Sequence, residues 1–331
     1  MIARFVPLGA AAPAEALAVD GAVIGTRAIY SHWQGNHTTP NELAADTSTG
    51  MLVRAAADEP RWLAPFSVVC NNHIDADGLL SLLCACRPDL ARQHAPLLIA
   101  AATAGDFTTW TGEPGYRLLL RLHQLIRDQQ ALGSGWEQRT LDVLLASAEI
   151  LLTSDEYANR PERDAAVAQV TATIDRLIQA PPVLIGRMAV VRWQRRLGHA
   201  SDTFLSVYQP DDLPLMALSA VIPATHFQLL IEDTPIGIIV DLSAPRHSWA
   251  RTVDLPTIAW PDLSAVAAEL KLAELKQAEF KQAEFKQAEP TVAWTARPGA
   301  EAVGYTCLLA SRGASRLDPA AVIAACANVF T

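Results

Sequence analysis

The chain has 331 residues, 50% of them hydrophobic, enough to bury a large core in one big domain or two intimately packed ones. Its formal net charge is −9 with Lys and Arg scattered, which excludes a basic nucleic-acid-binding face and means that an anionic small-molecule substrate would need a cation to hold it. The odd, widely spread set Cys70, Cys84, Cys86, Cys307 and Cys326 fits neither a disulfide framework nor a paired zinc site, and no apolar run reaches the ~18 to 20 residues of a membrane span, so a reduced cytoplasmic protein is expected.

Taken in chain order, Ala22–Ser31 reads as a strand. The segment from His37 to Glu59 reads as helical, with Thr39 as N-cap, Pro40 in the first turn and Glu42 closing a capping box. "FSVVC" (66–70) is the next strand, and "LLSLLCACRPDLARQH" the next helix, ended near Pro88. "APLLIAAATAGDF" (95–107) reads as a buried run reaching Asp106 at the carboxyl end of a further strand. Three segments with apolar residues at helical spacing follow, from Gly115, Trp136 and Glu162. Beyond Pro181-Pro182 the texture turns β-rich: "VLIGRMAVVRW", "DTFLSVY", "LMALSAVI", then "FQLLIEDTPIGIIVDL", a hairpin turning at Asp233-Thr234-Pro235. A long helix, a strand pair (Thr291–Arg297, Tyr305–Ser311) and a helix capped by Asp318-Pro319 close the chain.

The expected class is α/β, a mostly parallel sheet with covering helices in residues 1–180, followed by a mixed or antiparallel α+β part in 181–331. Within the latter lies a repeat-containing helix, 262–289, where "AELKQAEFKQAEFKQAEP" has a five-residue period. Five residues advance a helix by about 500°, so Leu275, Phe280 and Phe285 form no stripe and a solvated extension is expected.

The chemistry concentrates in "CNNHIDADGLLSLL" (70–83), directly after an apolar strand. In extended backbone His73, Asp75 and Asp77 project to one side, and a bend at Gly78 would converge them on one cation. An EF-hand is excluded, since His73 occupies the first position, Cys84 the twelfth, and a strand precedes. Mixed imidazole and carboxylate donors suit Mn²⁺ or Fe²⁺, one or two ions. Asp106 is the first choice of further ligand, with an N-cap as its bland reading. His32 and His37 are candidates to protonate a leaving group, and Asn72, like Asn71, to orient ligands or bind a substrate oxygen. Asp46 reads more readily as a helix cap, and Asp241 and His247 as a distant arm of the site. His94, His123, His199 and His226 read as surface or packed residues. Arg187, Arg192, Arg195 and Arg196 read as a solvated face.

At "HIDADGLLS" the sequence resembles the first motif of the DHH phosphoesterase superfamily, although the Asp-His-His triplet that names the superfamily is absent. That resemblance implies a DHH-like core, two Mn²⁺ ions held by His73, Asp75 and Asp77 with Asp106 in support, and hydrolysis of phosphoesters by metal-bound hydroxide. The blocks "SHWQGNHTTPNELAADTST", "NNHIDADGLLSL" and "AAATAGDF" also resemble an uncharacterised bacterial family, which implies a single site containing His32, Asn36, Asp46, His73, Asp75, Asp77 and Asp106. The leading expectation is a metal-dependent hydrolase acting on a small anionic substrate. The alternatives are an Fe- or Mn-dependent small-molecule enzyme without phosphate chemistry, as in specialised metabolism, and a non-enzymatic partner-binding role for the repeat helix.

Overall fold

A computed structural model describes residues 1–36, 38–154, 161–194, 215–285, 293–296 and 307–331. It forms two compact units, Met1–Gln169 with Ala250–Leu255, and Val170–Trp249 with Pro256–Thr331.

The first unit is built on a four-stranded, wholly parallel sheet of β1 (Ile2–Phe5), β2 (Ala16–Val19), β3 (Ala28–Tyr30) and β4 (Val68–Asn71), in the order β1-β4-β2-β3. The two central strands read "ALAV" and "VVCN", with β2 buried at every position, as a parallel sheet covered on both faces demands. Because β4 returns to a slot between β1 and β2, the strand order reverses there, and in open α/β sheets the crevice at such carboxyl ends is where ligands bind.

Helices α1 (Ser48–Ala57), α2 (Glu59–Trp62), α3 (Ala76–Cys86), α4 (Pro88–Gln93), α5 (Ala95–Phe107), α6 (Glu113–Gln130), α7 (Trp136–Ala146) and α8 (Ala148–Thr153) complete it. α3 packs against α1, α5 and α7, and its Leu79, Leu80, Leu82 and Leu83 are wholly buried. Each such leucine contributes about 1.5–3 kcal/mol of transfer free energy, so α3 is firmly held behind the loop that precedes it.

Two expectations in this unit are corrected. The cap at Thr39 does not form: Thr39 accepts the Ser31 amide, only a 3-10 turn (Asn41–Leu43) follows Pro40, and α1 starts at Ser48 with Thr47 accepting from the Gly50 amide. Glu42 pairs with Arg61 on the surface. The run 95–107 is helix α5, not a strand, because thirteen residues rich in Ala, the best helix former, exceed the length of a buried strand.

α9 (Pro161–Gln179) spans the boundary between the units. The second unit holds a mixed six-stranded sheet, β5 (Val183–Ile185), β6 (Met188–Gln194), β7 (Phe227–Thr234), β8 (Gly237–Ser243), β9 (Ala293–Ala296) and β10 (Cys307–Arg312), in the order β5-β6-β7-β8-β10-β9. Only β6 and β7 run parallel. The β7–β8 hairpin closes at the Thr234–Gly237 pair. Alternate residues Phe227, Leu229 and Ile231 of β7 and Ile238, Val240 and Leu242 of β8 enter a core shared with α11 (Ser264–Phe285) and α12 (Pro319–Phe330), the latter capped by Asp318. "LMALSAVI" contains the short helix α10 (Leu215–Ser219) rather than a strand, and "DTFLSVY" lies outside the described residues.

α11 docks through Leu263, Val266, Ala267 and Leu270, all before the repeat. Within the repeat Leu275 is exposed, but Glu274 is buried and accepts the Ser315 hydroxyl, so the solvated stretch starts later than its period suggests. Among the described residues no helix is long and apolar enough to cross a membrane.

Candidate metal centre

The carboxyl ends of the three neighbouring strands β4, β2 and β3 deliver the acidic and imidazole groups. Asp20 follows β2 directly, in a left-handed conformation (φ 64°) uncommon for a residue with a side chain. His32 stands two residues beyond β3, and His73 two beyond β4. Asp75 is the N-cap of α3, accepting the Gly78 amide at 2.8 Å, and Asp77 lies in the first turn of that helix. Asp106 arrives in the last turn of α5.

These side chains form two groups that share one carboxylate. Asp20, His32, Asp77 and Asp106 each offer a donor atom, all within 4.8 Å of one another, and Asp20, His73 and Asp75 form the second group by the same measure. In the first, His32 is wholly buried, with Nδ1 3.6 Å from Asp77 and Nε2 3.3 Å from Asp106. In the second, His73 Nε2 lies 2.7 Å from Asp20 Oδ2 and 3.2 Å from Asp75 Oδ2.

The 73–77 segment therefore does not turn all three side chains to one point. Helix α3 starts at Ala76, and Asp77, in its first turn, joins the group of Asp20, His32 and Asp106, while His73 and Asp75 join Asp20 in the other.

Fixed neighbours hold the donors. The amides of Ser48 and Thr49, at the N-terminus of α1, donate to the two oxygens of Asp77 at 2.7 Å each, and a helix N-terminus favours that negative charge. The Ser48 hydroxyl donates to Asp20 Oδ1 at 3.0 Å. Asn72 sets the second imidazole, its Oδ1 lying 3.0 Å from His73 Nδ1 while its Nδ2 donates to the Ala22 carbonyl. The indole of Trp33 packs against the same ring, tilted by 36° with centroids 5.4 Å apart.

The electrostatics are those of a crowded, largely buried acidic cluster. Burial pushes the Asp77 carboxyl up to about 8, with the Asp20 charge adding to it. Asp106 is raised well above the ordinary carboxylate range by burial and by the charges of Asp77, Asp75 and Asp20. Burial keeps His32 below its usual value in spite of the carboxylates around it. At His73 burial opposes the charge, but hydrogen bonds to Asp20 and Asp75 prevail and push it up to about 11. Burial opposes ionisation of Asp75 as well, yet the bond from His73 holds it below the usual range. After burial, the charges that act most on these groups are those of the cluster's own Asp and His residues. Four carboxylates gathered with two imidazoles is a costly arrangement without compensating charge, and a donor set of this composition suits divalent transition ions.

Of the residues singled out in the sequence, His73, Asp75, Asp77, Asp106 and His32 come together, Asn72 orients from behind, and His37 lies outside the described residues. His32, expected to protonate a leaving group, is enclosed among ligand-type carboxylates. Asn36 ties down the loop after β3 by donating to the Ile29 and Ser31 carbonyls and to Thr39. Asp46 accepts the amides of Val253 and Asp254, which anchors the 250–255 segment to this unit. That segment also reaches the cluster, as the Arg251 amide donates to the His32 carbonyl at 2.7 Å. Asp241 and His247 belong to the second unit, where Asp241 accepts the Ser243 hydroxyl and His247 bonds the Pro256 carbonyl.

Asp20, the shared carboxylate, escapes the sequence reading. Its one signal is an Asp-Gly pair closing the buried run "ALAV", and Gly21 is required there: a Cβ would stand 2.1 Å from Asn72 Oδ1. No curated protein and no solved structure matches this chain. The model of the family of unknown function DUF6687 matches residues 1–331, and the chain belongs to that family.

Proposed function

We propose that the protein is a metal-dependent hydrolase of the phosphoesterase type with a DHH-like core, acting on a small anionic substrate. The observation that carries the reading is the sharing of Asp20 between two ligand groups, the arrangement a pair of neighbouring cations needs. Asp20, His32, Asp77 and Asp106 would hold one ion, and Asp20, His73 and Asp75 the other, with Mn²⁺ or Fe²⁺ suited to these donors. Four carboxylates match the charge of two divalent ions. Bound cations would supply a water of lowered pKa and positive charge against the substrate's anionic oxygen. The chain's own contribution is to fix the ligands through the α1 amides and Asn72, and to deliver them at the carboxyl edge of a buried sheet.

Elemental analysis of protein purified and then loaded with Mn²⁺, followed by a screen of phosphodiester and nucleotide substrates, tests it. Up to two ions per chain and a metal-dependent hydrolysis are expected, and Asp20→Asn should lose both. Protein that takes up no metal, or an Asp20→Asn variant that keeps it in full, would refute the reading. A second reading, metal-dependent chemistry on a substrate without phosphate, is favoured because, among the described residues, no Lys or Arg is among the main influences on His73, Asp77 and Asp106. Iron uptake with oxygen consumption, and no phosphoester hydrolysis, would select it.

A further inference from the structure

Asn71 closes β4 and is wholly buried. Its carboxamide is oriented without ambiguity, because Oδ1 accepts two backbone amides, Gly21 at 3.3 Å and Asn72 at 2.7 Å. An oxygen committed to two donors fixes the nitrogen on the other side. That nitrogen, Nδ2, is buried and has no hydrogen-bond partner among the described residues. A buried amide donor is rarely left so unless something else accepts from it.

Where Nδ2 points is defined by Gly78. The position a Cβ would take on Gly78 is 2.2 Å from Asn71 Nδ2, 3.0 Å from Asp75 Oδ1 and 3.2 Å from Asp20 Oδ2. The amide thus lies over the space that a side chain at 78 would fill, a space that Asp20 and Asp75 also border. Every carboxylate around it is an acceptor, and Asn71 brings a neutral donor that no change of pH removes.

On the reading proposed above, we infer that Asn71 is a substrate-binding residue, its Nδ2 donating a hydrogen bond to an anionic oxygen of the substrate beside Asp20 and Asp75. An uncharged donor suits this place, since a Lys or Arg would pair with the carboxylates and compete with the cations for them. The ligand class follows: an oxyanion small enough to bring one oxygen into the crevice, of which inorganic phosphate is the minimal form.

Calorimetric titration of Mn²⁺-loaded protein with inorganic phosphate tests the inference, with metal content measured on the same samples. Wild type should bind phosphate, while Asn71→Ala and Asn71→Asp should bind it about tenfold or more weakly with Mn²⁺ retained, the usual loss when a hydrogen bond to a charged group is removed. Asn71→Asp keeps the shape and the oxygen that accepts from Gly21 and Asn72, so it carries the test if the alanine variant does not fold. Phosphate affinity unchanged in Asn71→Asp with metal retained would overturn the inference and leave the metal centre standing. So would wild-type protein that holds Mn²⁺ but not phosphate, or loss of Mn²⁺ in both variants, which would make Asn71 a support for the ligands. Wild-type protein that holds no Mn²⁺ would fail the underlying proposal itself.

Discussion

Removing cations should make the protein less stable as pH rises from 6.5 to 8, and the site supplies the magnitude. The wholly buried Asp77 has its carboxyl raised to about 8, so without a cation the folded state keeps a proton there that the unfolded chain has released. His73, pushed up to about 11, acts in the same direction over this window. Asp75, held below its own ordinary value, drops out, while His32, also held low, is protonated only in the unfolded chain near pH 6.5 and opposes the trend by about 0.4 kcal/mol over this window. A folded state that binds more protons loses stability with rising pH, by about 1.4 kcal/mol per unit for each retained proton. Because Asp77 is half ionised by pH 8, it contributes about 1.6 kcal/mol over this range, with His73 and the raised Asp106 adding to it. A cation replaces those protons and removes the trend, contributing about 2.7 kcal/mol at a hundredfold excess over its Kd. Urea denaturation in EDTA and in Mn²⁺ at pH 6.5, 7.2 and 8.0 measures both slopes. Stability in EDTA that is flat or rising over this range, or curves with and without Mn²⁺ that coincide, would refute the electrostatic account of the site.

Other perturbations have defined outcomes. Gly78→Ala puts a methyl group 2.2 Å from the pinned Asn71 amide, and overpacking of this kind costs about 1–3 kcal/mol in the midpoint of denaturation; a neutral result would mean that Asn71 is free to turn away. Asp46→Ala removes both bonds to Val253 and Asp254, so trypsin should cut after Arg251 several times faster, as seen on a gel, and an unchanged rate would locate the anchor elsewhere. Leu79→Ala, at a wholly buried position of α3, should cost about 2–5 kcal/mol in chemical denaturation, and a loss below 1 would show that the helix repacks.

Much of the fold was legible because its signals are local. The strand "FSVVC", the hairpin before "GIIVDL", the helix capped by Asp318 and the helices of the middle segment each declare themselves by periodicity or end chemistry within a few residues. The same locality explains the errors. Thr39, Pro40 and Glu42 have the spacing of a capping box, but Thr39 is taken by the Ser31 amide, a partner eight residues away. The apolar run before Asp106 predicts a strand end, but Asp106 reaches the cluster from the end of a helix, since such a run does not reveal its period when Ala and Leu fill every turn.

The sequence by itself determined that His73, Asp75 and Asp77 sit at the passage from a buried strand into a helix, because strand, N-cap and helix are properties of neighbouring residues. Only the tertiary structure decided how those groups divide between two clusters and which carboxylate joins them. Asp20 is 53 positions from His73 and meets it because β2 and β4 pair in parallel, with Ala18 beside Cys70. Pairing of that kind is settled by burial across the whole sheet, and no single stretch of the chain records it.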